Sequence, residues 1–380
     1  MPIQVTIPLP IMENNPSDTP SDEPIFRDPP RRTRHRDVAL RAGVSTATVS
    51  KVITGRETDR ISEETRQRVL DAVRDLNYVP QSAVREMQTG RTGRIGVLLL
   101  HPAAFGAMDP YHAAILGGIL SGAFEHRRNT LLYTALDPDA ETLRREILGG
   151  GADAVIAVGK VWTPLVKSAV IQANIPVVYV SVLPEGSDIV RSVPYFAVDC
   201  DNAGGGRLGI EHLASLGHRH VAIVLDDIAS RDLSFVQERL LGVNEAAKDK
   251  GIVLSIVEKT ALDTTLQRIA TRIADAPTAL FIIEGEGGLN EIISELAPRH
   301  GLSVPESFSL VAYNSTRFSE HASVPVTAIR QPLTEIGAKA VEILVNYLDK
   351  GASGESRTGA VIRLPVTIDI RASTAPLHVK

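Results

Sequence analysis

The sequence predicts two unlike parts in one chain: a small all-α head of three short helices, and an α/β body folded as two Rossmann-like lobes. Three observations predict this. Between Arg31 and Arg94 fourteen basic side chains stand against eight acidic ones, a surplus of six, so the remainder of a chain with net charge −5 is strongly acidic. Inside that basic block, A-G-V-S-T-A-T-V-S-K-V-I (Ala42–Ile53) interrupts one short helical pattern at Gly43 and opens another at Ser45. From Arg94 onward, apolar runs of buried-strand length alternate with helical stretches, the pattern of βαβ units around a parallel sheet.

Composition bounds the class. A chain of 380 residues is long enough for two or three domains. With 43% hydrophobic but only 4% aromatic residues it has aliphatic cores. No run approaches the ~18–20 apolar residues of a membrane span, and the N-terminus lacks the charged and apolar regions of a secretory leader. Cys200 is the only cysteine, which excludes an internal disulfide and a cysteine zinc cluster. A cytoplasmic protein without membrane contact, metal or cofactor is expected.

In chain order, residues 1–32 are rich in Pro, Ser and Asp and cannot bury enough apolar surface to order themselves, so a disordered tail is expected. The cluster Arg31, Arg32, Arg34 and Arg36 is a candidate phosphate-contacting arm beside the helix pair. The first head helix is expected near Arg36–Ala42 with Val38, Ala39 and Ala42 inward. In the second, Ser45 is a good N-cap. Val49 and Val52 share one face, while Thr46, Ala47, Ser50 and Lys51 lie around the rest. A third helix starts at Ser62, and Val69, Ala72, Val73 and Leu76 form its stripe. It closes before Pro80, so the head spans 33–80. Residues 81–93 read as a linker carrying a short helix-capable piece that is marginal by itself in water.

The body covers 94–380. Strands are expected at Ile95–Leu100, Leu131–Ala135, Ala154–Val158, Val177–Val180, Val221–Leu225, Val253–Val257, Ala279–Ile283 and Ser309–Ala312, with helices between them. Two successive α/β lobes imply a cleft between them. The boundaries expected are about 94–192 with 316–346 for lobe 1, and about 193–315 with 350–375 for lobe 2. Gly204-Gly205-Gly206 does not follow the first strand and has no Lys-Ser/Thr pair, so it reads as a closely packed helix start and not as a phosphate loop. His218 and His220 have no further ligands near them in sequence and read as surface histidines.

The strings D-V-A-L-R-A-G-V-S-T-A-T-V-S-K-V-I-T-G (Asp37–Gly55), L-N-Y-V-P (Leu76–Pro80), R-I-G-V-L (Arg94–Leu98), R-L-G-I-E-H-L-A-S-L-G-H-R-H-V-A (Arg207–Ala222), G-L-S-V-P-E-S-F-S-L-V-A-Y-N (Gly301–Asn314) and T-A-I-R-Q-P (Thr327–Pro332) occur in order. Together they resemble the lactose/galactose-repressor (LacI) family of bacterial transcription regulators over essentially residues 33–375. The resemblance implies a helix-turn-helix head, a hinge helix at 81–93 and a periplasmic-binding-protein-like sensor. It implies no enzyme but a homodimer on a near-palindromic double-stranded DNA operator, released or recruited by a small-molecule effector, commonly a carbohydrate.

On the DNA side the resemblance places Thr46, Ala47 and Lys51 at base edges. Lys51 stands where Arg is more usual and lacks its rigid fork. Ser45, Thr48, Ser50 and Tyr78 fall at phosphate-positioning places, and Arg34 and Arg85 add charge. Met87 stands where the family wedges a Leu into the minor groove.

On the effector side Arg239, in E-R-L-L-G, matches the family's effector-binding Arg. Tyr111 and His112, in D-P-Y-H, fall on the loop and helix start that line the cleft, and Gln331 lies in T-A-I-R-Q-P. Ser181 and Asn314 stand where relatives carry Asp, and Glu284 and Glu286 replace an Asn-Asp string. Those two glutamates suit an amine-bearing ligand. The competing class is an α/β ligand-processing enzyme with an accessory DNA-binding head; the sequence offers it no nucleophile–base pair or cofactor fingerprint.

Overall fold

A computed structural model describes residues 33–55, 61–78, 90–99, 110–133, 140–159, 164–181, 193–350 and 359–377. The expected tail and most of the hinge, with Arg85 and Met87, lie outside them. The chain divides into two compact units, Met1–Arg85 and Glu86–Lys380.

In the first unit α1 (His35–Ala42) ends at Gly43, whose φ of 67° is the left-handed conformation that glycine adopts without cost. Ser45 then caps α2 (Thr46–Thr54), its hydroxyl accepting from the Thr48 amide at 3.1 Å. Ser62 does the same for α3 (Glu63–Asp75), with Glu63 and Glu64 in the first turn, where the helix dipole favours anions. Val38, Ala39, Ala42, Val49, Val52, Val69, Ala72 and Tyr78 form the core, as the sequence stripes require. Thr33 Oγ1 donates to the Leu76 carbonyl at 3.1 Å and Arg41 pairs with Asp75 at 2.8 Å, tying α1 to α3.

The second unit holds two six-stranded sheets. The first is ordered β11-β5-β4-β3-β1-β2, from β1 (Arg94–Leu99), β2 (Asn129–Tyr133), β3 (Ala154–Val158), β4 (Val177–Val180), β5 (Tyr195–Cys200) and β11 (Val361–Leu364). The second is β12-β10-β9-β8-β6-β7, from β6 (His220–Leu225), β7 (Val253–Glu258), β8 (Ala279–Ile282), β9 (Ser309–Asn314), β10 (Thr327–Arg330) and β12 (Thr367–Asp369). All neighbours run parallel except β10 and β12.

Helices cover both sheets. Lobe 1 has α4 (Pro110–Glu125), α5 (Ala140–Leu148) and α6 (Pro164–Ala173). Lobe 2 has α7 (Asn202–Ser215), α8 (Ser234–Lys250), α9 (Leu262–Ala270), α10 (Leu289–Glu291), α11 (Ala297–Arg299) and α12 (Arg317–Glu320). The long α13 (Leu333–Lys350) returns to lobe 1 and packs on α4 so closely that a Cβ on Gly118 would collide with the Thr334 carbonyl.

The lobe boundaries differ from those expected. β5 belongs to lobe 1, β10 to lobe 2, and the C-terminal stretch supplies one strand to each. The reason is pairing: β5 lies parallel between β4 and β11, and β10 lies between β9 and β12. The chain therefore crosses between lobes three times, after Cys200, after Arg330 and between Leu364 and Thr367. At one crossing the Asp201 amide donates to the Leu364 carbonyl at 2.8 Å, so two crossings are bonded side by side.

His218 also departs from expectation. It is buried, its ring nitrogens 2.9 Å from Thr278 Oγ1 and 2.9 Å from Ser309 Oγ, because its loop is covered by the C-terminal segment around Ala375. His220 is half-buried at the start of β6.

Candidate functional site

Two surfaces collect the predicted residues, one in each unit. In the head, burial of Val49 and Val52 turns the rest of α2 outward: Thr46 and Ala47 are exposed, and Ser50 and Lys51 half-exposed. Ser45 is exposed but occupied, since its hydroxyl caps the helix and lies 3.0 Å from Thr48 Oγ1. Arg34 is the exposed N-cap residue of α1. Tyr78 is placed differently from expectation. It is 5% exposed, packed in the core edge-on to His35, with its hydroxyl 2.6 Å from His35 Nδ1. Its aromatic bulk completes a core that has few large side chains, which takes it away from phosphate.

In the second unit the C-terminal ends of both sheets flank a cleft of about 480 Å³. Lobe 1 contributes Tyr111 and His112 from the first turn of α4, Gly159 after β3, Ser181 after β4 and Asp199 from β5. Lobe 2 contributes Asp226 after β6, Phe235 and Arg239 from α8, Glu284 to Gly287 after β8, Asn314 at the end of β9 and Phe318 from α12. Seven of the eight predicted effector residues thus converge here. The exception is Gln331, which is buried behind the wall and donates Nε2–H to Asn314 Oδ1 at 2.6 Å. It positions a lining residue without being one. Ser181 and Asn314 adopt left-handed backbone, φ 62° and 95°, which non-glycine residues rarely do. Such conformations concentrate at ligand sites.

Arg239 is the best-supported residue of the site. It is 4% exposed, its guanidinium lying 3.7 Å from the Tyr313 ring centroid and 4.8 Å from that of Phe235. Nε donates to Asn202 Oδ1 at 2.9 Å and Nη1 to the Ile283 carbonyl at 2.6 Å. It can sit so deep because α7 and α8 touch backbone to backbone: a Cβ on Gly206 would collide with the Arg239 carbonyl, and one on Gly242 with that of Ala203. The Gly204-Gly205-Gly206 string is accordingly a packed helix start, capped by Asp201.

The carboxylates differ in their freedom. Glu286 is buried, with one oxygen accepting from the Thr316 amide at 2.7 Å and the other from the Thr316 hydroxyl. It holds the Thr316 loop while lining the cavity. Glu284 accepts from the Asp226 amide at 2.9 Å, and burial raises its carboxyl above the usual range. Asp199, which sequence reasoning missed, is 4% exposed, and burial pushes its carboxyl up to about 6 against the opposing bonds from the Cys200 amide and Asn202. A lone acid inside the apolar run F-A-V-D-C was the available signal. Within the lobe 1 wall Tyr111 donates to Ser181 Oγ at 2.6 Å, and burial raises its hydroxyl far above the normal value.

Comparison with known proteins adds to this geometry. Residues 36–81 match the family described as bacterial regulatory proteins, lacI family, and residues 210–374 match the periplasmic binding protein-like domain. The HTH-type transcriptional regulator CelR of Thermobifida fusca is 27% identical over 351 residues, covering 90% of this chain and 98% of that one. Catabolite control protein A of Priestia megaterium is 25% identical, covering 89% and 98%. Among solved structures, a CelR–cellobiose complex aligns with TM-score 0.59 at 27% identity, over 90% of this chain and all of that one. A lac repressor dimer bound to operator and the anti-inducer ONPF aligns with TM-score 0.66 at 22% identity, over 91% and 100%, and shows the shared fold.

Proposed function

The chain belongs to the lacI family of bacterial regulatory proteins, and on that premise we propose that it is a homodimeric repressor of a near-palindromic operator. Its relatives are transcriptional regulators, and like them it is an effector-controlled DNA-binding protein, not an enzyme. In the proposed dimer each α2 enters a major groove, with Thr46 and Lys51 reading base edges and Arg34 holding phosphate. The two reading helices then stand about 34–36 Å apart, one turn of duplex.

The cavity takes a small polar metabolite of the carbohydrate kind, as CelR does cellobiose. One observation carries this reading: residues expected to hold an effector come from both lobes, yet Tyr111, His112, Ser181, Arg239 and Asn314 line one cleft. A ligand bridging them changes the balance between lobe arrangements by its differential affinity, and a few kcal/mol is enough to move a two-state equilibrium. The linker 81–93 would pass that change to the heads.

The test is a binding assay with DNA from around the protein's own gene. A discrete complex whose affinity falls steeply with salt, and which changes when a bound metabolite is added, is expected. No such complex, or turnover of the metabolite, would overturn the reading.

A further inference from the structure

We propose that the effector carries a protonated amine and that Asp199 is the anion that receives it; this rests on the effector-sensor reading above. The first observation is the sign of the cavity. Asp199, Asp226, Glu284 and Glu286 line it, against Arg239 and His112 among the described residues. Arg239 has already committed Nε and Nη1 to Asn202 and Ile283. Four carboxylates around a low-dielectric space set up a negative potential that repels an acidic ligand and concentrates a cation.

The second observation is independent of that count and singles out one acid. Glu286 and Glu284 are tied to Thr316 and to Asp226. Asp199 is nearly completely buried in β5, accepts only neutral N–H donors from Cys200 and Asn202, and forms no ion pair with any described residue. Arg239 acts on this carboxylate only at a distance, through Asn202, and a buried carboxylate without a directly paired cation is costly; the strand presents it to the cavity. An ammonium group arriving with the ligand supplies the missing charge. Phe235 and Phe318 add apolar surface for the rest of the molecule. Ser181, next to it on the wall, leaves the pairing to Asp199 by having no charge of its own.

The charged and titratable groups around Asp199 are Glu238 and Arg239 on α8, Cys200 on its own strand, Tyr111 on α4, Tyr313 on β9 and Arg363 on β11. Arg363 is neutralised by Glu238 at 2.5 Å, and the cysteine and both tyrosines are pushed upward, so all three stay neutral near pH 7. Among these groups Asp199 is the one that changes charge at about 6.

The probes are three fractions of a bacterial metabolite extract: retained on a cation exchanger, retained on an anion exchanger, and unretained. Each is added to the full-length protein and the unfolding temperature is read. The cation-exchanger fraction is expected to raise it by several degrees, and Asp199→Asn is expected to lose that rise while still unfolding cooperatively. Wild-type affinity for the same fraction should fall roughly tenfold per pH unit below about 6, a reading that remains should the variant not fold. A rise from the unretained or anionic fraction, or one that persists unchanged at about pH 5, overturns the amine assignment and leaves the sensor reading standing. No rise from any fraction overturns the sensor reading and this inference with it.

Discussion

Arg239 and Asp199 are joined through one side chain: Asn202 accepts from Arg239 Nε at 2.9 Å and donates to Asp199 Oδ2 at 2.9 Å. The amide orients the cavity's cation and its buried anion at once, without letting them neutralise each other by direct contact. Arg239→Lys keeps the charge but has no planar fork, so either the Asn202 oxygen or the Ile283 carbonyl is left buried without a donor. The variant is expected to lose about 2–4 kcal/mol in urea unfolding and to lose its response to effector. Wild-type stability in the variant would show that the two bonds are dispensable.

Asp199 should stabilise ligand at the expense of the fold. Its carboxyl rises from 3.8 to about 6 on folding. With the folded value above the unfolded one, the group favours the fold most at low pH, and that contribution is lost as pH rises through about 6. Asp199→Asn is therefore expected to be more stable than wild type at neutral pH, by about 1–2 kcal/mol after the lost acceptor is allowed for. The gain should disappear near the unfolded value of 3.8. Urea titrations of both proteins across pH measure it, and a variant less stable at pH 7 would contradict the cost assigned to the ionised acid.

The elements of this chain differ in how far they can be read from sequence. The head was readable because each helix carries its own local signals, a cap at Ser45 and Ser62 and a stripe through Val69 and Ala72. The eight apolar strands were readable for the same reason. β5, β10, β11 and β12 were not, since they are short and owe their existence to partners far away in the chain, as Val361 does to Ala197. The helix α13 was passed over although Leu333, Ile336, Ala340, Val341 and Leu344 repeat with helical period and are all buried. At the site, Arg239 was found by its motif. Asp199 is missed with its strand, and the bonds of Glu286 to Thr316 are not legible because that partner is close only in three dimensions.

The histidines that hold the C-terminal segment predict acid sensitivity. Burial lowers His218, and His212, 3.0 Å from Thr374 Oγ1, is lowered for the same reason. Because the folded values lie below the ordinary 6.5, the unfolded chain takes up protons first as pH falls. Stability from these rings is full above 6.5, declines as pH drops through that value, and levels off below the folded values. The slope can reach about 1.4 kcal/mol per pH unit for each ring. His218→Gln should be less stable at pH 7.5 but show a flatter loss toward pH 5.5; an unchanged slope would mean that His218 does not titrate there.

The head predicts a separation between specificity and affinity. Lys51 lies on the outward side of α2, opposite Val49 and Val52, whereas Arg34 precedes α1 and is exposed beside Arg36. A cation over base edges discriminates among sequences, while one beside the backbone only neutralises phosphate. Lys51→Ala should therefore relax the preference at one base pair of each half-site, with a cost of about 1–3 kcal/mol on the best operator. Arg34→Ala should weaken all sequences alike and reduce the salt dependence of binding by about one counterion. Selection from random operators reads the first effect and a salt titration the second. If Lys51→Ala returns the wild-type consensus while Arg34→Ala changes it, the roles of the two side chains are reversed and the head docks in another orientation.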